Sequence, residues 1–169
     1  MKDRSADSLS MYFGAITGPE NITKLVDRMI ENSDNHRVLV AEDDRLEVVG
    51  TIHLAIINDH EVELGIMVSE AYRGMGISTV MMDYVLNWCR NRGFDSVTMF
   101  CLSYNSAVLH VVKKYGLEIS KTLGNSEAKV MLPRANIFTL GRENLANQQS
   151  IIKQNVMSFK RMLNIPLNT

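Results

Sequence analysis

Between His36 and Val68, three apolar, β-branched segments follow one another with only a few residues between them. That spacing constrains the fold more than any other feature of the chain. The segments are His36–Glu42, residues 46–57 and residues 60–68, divided at Asp43–Asp44 and Asn58–Asp59. Val, Leu and Ile suit a pleated, half-buried surface, and Asp and Asn suit tight turns. A parallel pair needs a crossover of a dozen or more residues, far more than these connections offer. The three strands are therefore expected to form an antiparallel meander.

The periodicity then changes. Ile77, Val80, Met81, Tyr84, Val85, Trp88 and Cys89 mark an amphipathic helix of about four turns, and Gly93 follows its end. Ser96–Leu102 reads as a strand, residues 105–115 as a helix closed by Gly116, and residues 117–122 and 128–132 as two closing strands. A last helix over 142–163 carries Leu145, Ile152, Val156, Phe159 and Leu163 on one side. That stripe is open to three uses: packing on its own domain, forming a homodimer, or binding a partner. Ahead of the meander, Ile22, Leu25, Val26, Met29 and Ile30 form one face of a helix over 19–32. It is announced by Thr17, Pro19 and Glu20, and a shorter helix is expected over 8–13. The central strand–helix–strand unit implies one parallel pairing. The expected fold is α+β (mixed α/β): one domain over 1–169, with a mostly antiparallel mixed sheet flanked by helices.

At 169 residues the chain has room for one core. Eighteen basic against nineteen acidic side chains argue against bulk binding of nucleic acid. No run of 18 apolar residues is present, and residues 1–7 lack the apolar stretch of a signal peptide, so no membrane role is expected. Cys89 and Cys101 lie in apolar segments without metal-ligand spacing. This predicts a reducing, cytoplasmic setting and no metal.

The stretch that carries chemistry runs Val68-Ser69-Glu70-Ala71-Tyr72-Arg73-Gly74-Met75-Gly76-Ile77-Ser78. A strand enters a glycine-containing turn that opens into a helix. Glycine lets the backbone approach a ligand, and the helix N-terminus with Arg73 favours an anion. It is not a P-loop, which would end Gly-Lys-Ser/Thr, and it lacks the third glycine of the dinucleotide fingerprint. A tight turn with no ligand would use the same glycines.

The arrangement Val68-x4-Arg73-x2-Gly76-x-Ser78 resembles the acyl-CoA pyrophosphate loop of the GNAT superfamily of N-acetyltransferases, whose pattern is Val-x4-Arg/Gln-x2-Gly-x-Gly/Ala. Asn105 followed by Tyr115-Gly116-Leu117 resembles that family's Asn, helix, Gly-Phe segment, and the resemblance spans 36–132. It departs at Ser78, which replaces Gly or Ala, and at Val112, where many members carry the tyrosine that protonates the leaving thiolate. The resemblance implies acetyl-CoA as cosubstrate, with its pyrophosphate on the N–H groups of Arg73, Gly74, Met75, Gly76, Ile77 and Ser78. Its pantetheine arm would lie along Ile66, Met67 and Val68, with Asn105 close by. An N–H near Met67 would meet the thioester carbonyl.

Such a reaction needs a neutral amine, and deprotonating a lysine-like amine at pH 7 costs roughly 4.6 kcal/mol. Glu63 is the expected base, facing the same way as Glu61, Gly65 and Met67 on its strand. Glu61 is the runner-up, and His53, His60 and His110 are weaker candidates. With Val112 in the tyrosine's place, the acid could be water, Tyr104 or Tyr115. A fainter resemblance, carried by residues 5–13, Glu63 and Val112, is to bacterial protein-lysine acetyltransferase domains. The expected function is acyl transfer from acetyl-CoA to a primary amine, either protein lysine or a small amine. The alternative is a catalytically silent acyl-CoA-binding or interaction module.

Overall fold

The computed structural model describes residues 30–102, 113–116, 118–122 and 125–162, together with positions 20, 23–24 and 27. Helical backbone at 20, 23–24, 27 and 30–31 agrees with the first expected helix, although Ile30, placed on its inner face, is exposed. The helix expected over 8–13 lies outside the described residues.

The meander forms as expected: β1 (His36–Glu42), β2 (Val48–Asn58) and β3 (Glu61–Val68) pair antiparallel in sequence order. The turn between β1 and β2 is wound around Asp43, whose Oδ1 accepts the Arg45 and Glu47 N–H groups at 2.8 and 3.0 Å. Leu46 completes the turn in the left-handed region at φ 61°. Helix α1 (Ile77–Asn91) follows, then β4 (Ser96–Leu102), β5 (Glu118–Thr122), β6 (Asn125–Met131) and α2 (Ile137–Met162). The six strands form one sheet in the order β1-β2-β3-β4-β6-β5. Only β3 and β4 run parallel.

The core lies between α1 and one face of the sheet. Ile52 and Leu54 of β2, Val62 and Leu64 of β3, and Val97 and Met99 of β4 meet Met81, Met82, Val85 and Cys89 of α1. Each large apolar side chain buried there contributes about 1.5–3 kcal/mol. Val80, expected on the inner face, is exposed, because the buried arc of α1 centres on Met82 and Val85, on the far side of the helix. Gly50 of β2 lies under α1. A Cβ there would fall 2.9 Å from Met81 Sδ and 3.4 Å from Ile77 Cγ2.

α1 ends where Gly93 predicts, at φ 83°. The Phe94 N–H reaches the Cys89 carbonyl at 3.2 Å and the Gly93 N–H the Arg90 carbonyl at 3.1 Å, while Phe94 stacks on Trp88. This is a Schellman stop with its hydrophobic contact.

α2 begins five residues before the expected 142, at a reciprocal cap. The Thr139 N–H donates to Asn136 Oδ1, and the Asn136 N–H donates to Thr139 Oγ1, both at 3.0 Å. The helix docks on α1 through polar groups. Asn87 and Asn91 donate to the Thr139 carbonyl, Asn91 and Arg92 to the Glu143 carboxylate, and Tyr84 to Asn147. Because those groups share one face, the apolar residues turn outward. Leu145, on the apolar stripe of the expected last helix, is exposed, as are Ile137, Phe138, Leu140 and Ile151. The Ile152, Val156 and Phe159 side chains and Leu163 lie outside the described residues. No described helix is long and apolar enough to cross a membrane.

Candidate active site

β3 is paired with β2 along its whole length, from Asn58↔Glu61 to Gly50↔Val68. Its parallel pairing with β4 covers only Glu61↔Ser96, Val62↔Val97 and Glu63↔Thr98. Beyond Glu63 the two strands part, so residues Leu64 to Val68 border an opening in the sheet. The same strand then delivers the chain into the glycine-containing turn. One strand thus carries a carboxylate at the fork and the glycine-containing turn at its end, about 17 Å further along at strand rise.

The registers place His36, Ala55, Glu63, Thr98, Lys129 and Glu118 in one row across all six strands. Val62 and Leu64 point into the core and are buried, so Glu61, Glu63, Gly65 and Met67 occupy the face away from α1, as the alternation predicts. Glu61 is committed: its Oε1 accepts from Lys129 Nζ and from Thr98 Oγ1, both at 2.7 Å. These partners, Lys129 foremost, hold its carboxyl below the usual range. Glu63 is half-buried, and among the described residues no hydrogen bond or ion pair engages it. Gly65 stands opposite His53, leaving the sheet surface bare beside Glu63.

The turn is fastened at both ends. The Ser69 N–H donates to the Val49 carbonyl at 2.8 Å, and a 3-10 turn over Glu70–Tyr72 follows. Tyr72 Oη donates to Asp43 Oδ2 at 2.9 Å. Arg73 reaches Glu70 Oε1 at 3.4 Å. Gly74 and Gly76 both adopt positive φ, 78° and 79°, where any other residue is strained. Met75 between them is exposed. Gly76 is the N-cap of α1, and no described side chain caps the helix, so its first N–H groups point outward. Ile77 packs against the core, and Ser78 is half-buried.

The remaining candidates are dispersed. His60 pairs with Asp95 at 2.7 Å on the exposed far end of the sheet. Tyr115 Oη lies 2.9 Å from the Thr79 carbonyl and 2.8 Å from Asp83 Oδ1, tied to α1. Burial and the Asp83 bond push its pKa up, which suits a structural phenol. Burial pushes the Cys89 thiol up to about 12, leaving it inert. Tyr104, Asn105, His110 and Val112 lie outside the described residues, as does the Cys101 side chain. Among the described residues no group of three or more His, Cys, Asp or Glu could hold a metal ion. Sequence reasoning missed the Asp43–Tyr72 link and a His36–His53 pair. Both join residues 17 or more positions apart: strand register brings the two histidines together, and the folding of the meander brings the Asp43 turn to the 3-10 turn after β3.

The sheet thus parts between β3 and β4, and a glycine-containing turn leads from β3 to a helix N-terminus. The model of the acetyltransferase (GNAT) family matches residues 7–117, and the chain belongs to this family. Among solved structures it is similar to the GNAT domain of PAT from S. lividans, at 20% identity and a TM-score of 0.66. That match covers 76% of this chain and 78% of the other. It is also similar to spermidine N-acetyltransferase from Vibrio cholerae in complex with CoA and spermine, at 15% identity and a TM-score of 0.64. There the coverage is 75% and 83%. None of the curated proteins matches the chain.

Proposed function

We propose that the protein moves an acetyl group from acetyl-CoA to a primary amine, of a protein lysine or a small molecule, by direct attack with both substrates bound. One observation carries this reading: β3 sets Glu63 where its pairing with β4 stops, and then runs on into the uncapped turn at α1. The residues fit the cosubstrate. Backbone N–H groups of Gly74, Met75, Gly76, Ile77 and Ser78 hold the pyrophosphate, where a side chain at Gly74 or Gly76 would strain the turn. The Arg73 N–H, expected to join them, donates instead to the Glu70 carbonyl at 3.3 Å, so Arg73 contributes its guanidinium charge. The backbone of Ile66, Met67 and Val68 lines the pantetheine arm, which adds to the strand edge as an extended peptide would. Asn105 is the remaining residue assigned to the arm.

Glu63 takes the proton from the ammonium, directly or through water. The freed nitrogen bonds to the acetyl carbon as the C–S bond breaks; the second proton that the nitrogen then sheds passes through water to the CoA thiolate, giving the amide and CoA. No metal is required, and a reducing cytoplasm suits a chain whose Cys89 is a buried free thiol.

The test is a calorimetric titration with acetyl-CoA, with dephospho-CoA as comparison, followed by CoA release on adding spermidine or lysine peptides. Saturable 1:1 binding with amine-dependent release is expected; no binding by folded protein would overturn the reading. The outward apolar face of α2 favours a second reading, a silent acyl-CoA-binding module that docks a partner. Binding without turnover across the amines would select it.

A further inference from the structure

The phosphate loop has little internal structure of its own. From Arg73 to Gly76 it crosses two glycines at positive φ, a conformation that restrains the chain weakly. What fixes its path is where it starts and where it ends. The start is Tyr72, the last residue of the 3-10 turn, whose N–H is bonded to the Ser69 carbonyl at 2.9 Å. Its side chain runs to the β1–β2 turn and ends on Asp43.

Asp43 is built as a fixed post. Oδ1 takes two backbone N–H groups of its own turn, and Oδ2 takes the tyrosine hydroxyl. The backbone around it is closed by Asp43 N–H to the Glu47 carbonyl at 3.0 Å and Leu46 N–H to the Asp43 carbonyl at 3.1 Å. Three donors on one carboxylate favour its ionised form, and its pKa is held below the usual range, the Glu47 N–H being the largest cause. The turn and the loop are 29 residues apart in sequence, and this hydrogen bond ties the one to the other.

We infer that Asp43 is a positioning residue for acyl-CoA binding, acting through Tyr72 to set the entry of the phosphate loop. The inference rests on the reading of that loop given above. The described partners of the Asp43 carboxylate are the Arg45 and Glu47 N–H groups and the Tyr72 hydroxyl. The effect of Asp43 passes through that one hydroxyl, and this makes the prediction sharp.

The experiment measures acetyl-CoA affinity by calorimetry for the wild type, Tyr72→Phe, Asp43→Ala, the double variant and Asp43→Asn, with the unfolding midpoint of each free protein alongside. Losing one hydrogen bond that orients the loop should weaken binding roughly three- to ten-fold in Tyr72→Phe, with the free protein's midpoint nearly unchanged. Asp43→Ala should lose at least as much. The double variant should bind no worse than Asp43→Ala, because both changes cut the same link. Asp43→Asn should retain affinity, since its amide oxygen still accepts the turn's N–H groups and its NH2 can donate to Tyr72 Oη. Wild-type affinity in Tyr72→Phe, or losses that multiply in the double variant, would overturn the positioning role while leaving the loop assignment intact. A folded wild type that does not bind acetyl-CoA would overturn the loop assignment itself. Should Asp43→Ala fail to fold, Tyr72→Phe and Asp43→Asn still decide the matter.

Discussion

His36 Nδ1 and His53 Nε2 lie 3.0 Å apart across the β1–β2 pair, with their rings stacked at 5.1 Å. A hydrogen bond between two imidazole nitrogens needs one proton and one lone pair, so the facing nitrogens cannot both be protonated. Burial, and then the charge of His36, hold the His53 pKa below its usual 6.5.

The sign of the pH effect follows. Below pH 6.5 the unfolded chain takes up a proton at His53 that the folded chain resists. The stabilisation is therefore complete above about pH 6.5 and is lost as pH falls through the depressed folded value. Denaturant midpoints measured from pH 8 to pH 5 should decline on the acidic side. His53→Gln should flatten that decline, and an unchanged slope would remove His53 as its source.

Gly76→Glu should abolish acetyl-CoA binding, because it places a side chain and a negative charge at the mouth of α1. Gly76→Ala separates the two effects. A Cβ there meets nothing within 4 Å, so only the positive φ is penalised, at about 1–2 kcal/mol of stability. Calorimetric titration beside thermal unfolding reads both. Retained affinity in folded Gly76→Glu protein would remove the loop from the site.

Glu63→Gln should leave acetyl-CoA affinity within about twofold and lower turnover by a factor on the order of 10² to 10⁴. The side chain faces away from the core, so the unfolding midpoint should hardly move. A turnover equal to wild type at pH 7 would mean that the acceptor arrives already neutral.

Arg73 is paired with Glu70 at 3.4 Å, so under the proposed function a phosphate on the loop would compete with Glu70 for it. Glu70→Gln should therefore tighten acetyl-CoA binding about twofold in dilute buffer, and the gain should vanish in 1 M salt, where charges more than about 3 Å apart are screened. A gain that persists in high salt would point to a packing change instead.

Much of this was legible in the sequence because the signals are local. β1 and β4 fall on the expected bounds, and Gly93 marks the end of α1 because a Schellman stop needs a positive φ at that position. Gly74 and Gly76 announced the turn for the same reason. The start of α2 was not legible. Its cap uses Asn136 and Thr139 where the usual signal has Glu or Gln at the third helical position. The orientation of α2 was hidden too. Apolar periodicity says which residues share a face, but hydrogen bonds from Asn87, Asn91 and Arg92 decided which face meets α1. At the site, the strand alternation distinguished Glu63 from its buried neighbours. It could not show that Lys129, from a strand far along the chain, occupies Glu61.

The bare backbone at Gly50 has a consequence for the site as a whole. Gly50 pairs with Val68, the last residue of β3, and supports Ile77, the first residue of α1. The loop therefore leaves and re-enters regular structure over one point of β2, and its span is referenced to that point as a bridge is to a single pier. A methyl group added there would press first on the Met81 thioether, which can swing aside, and would come to rest against Ile77 at the start of the helix.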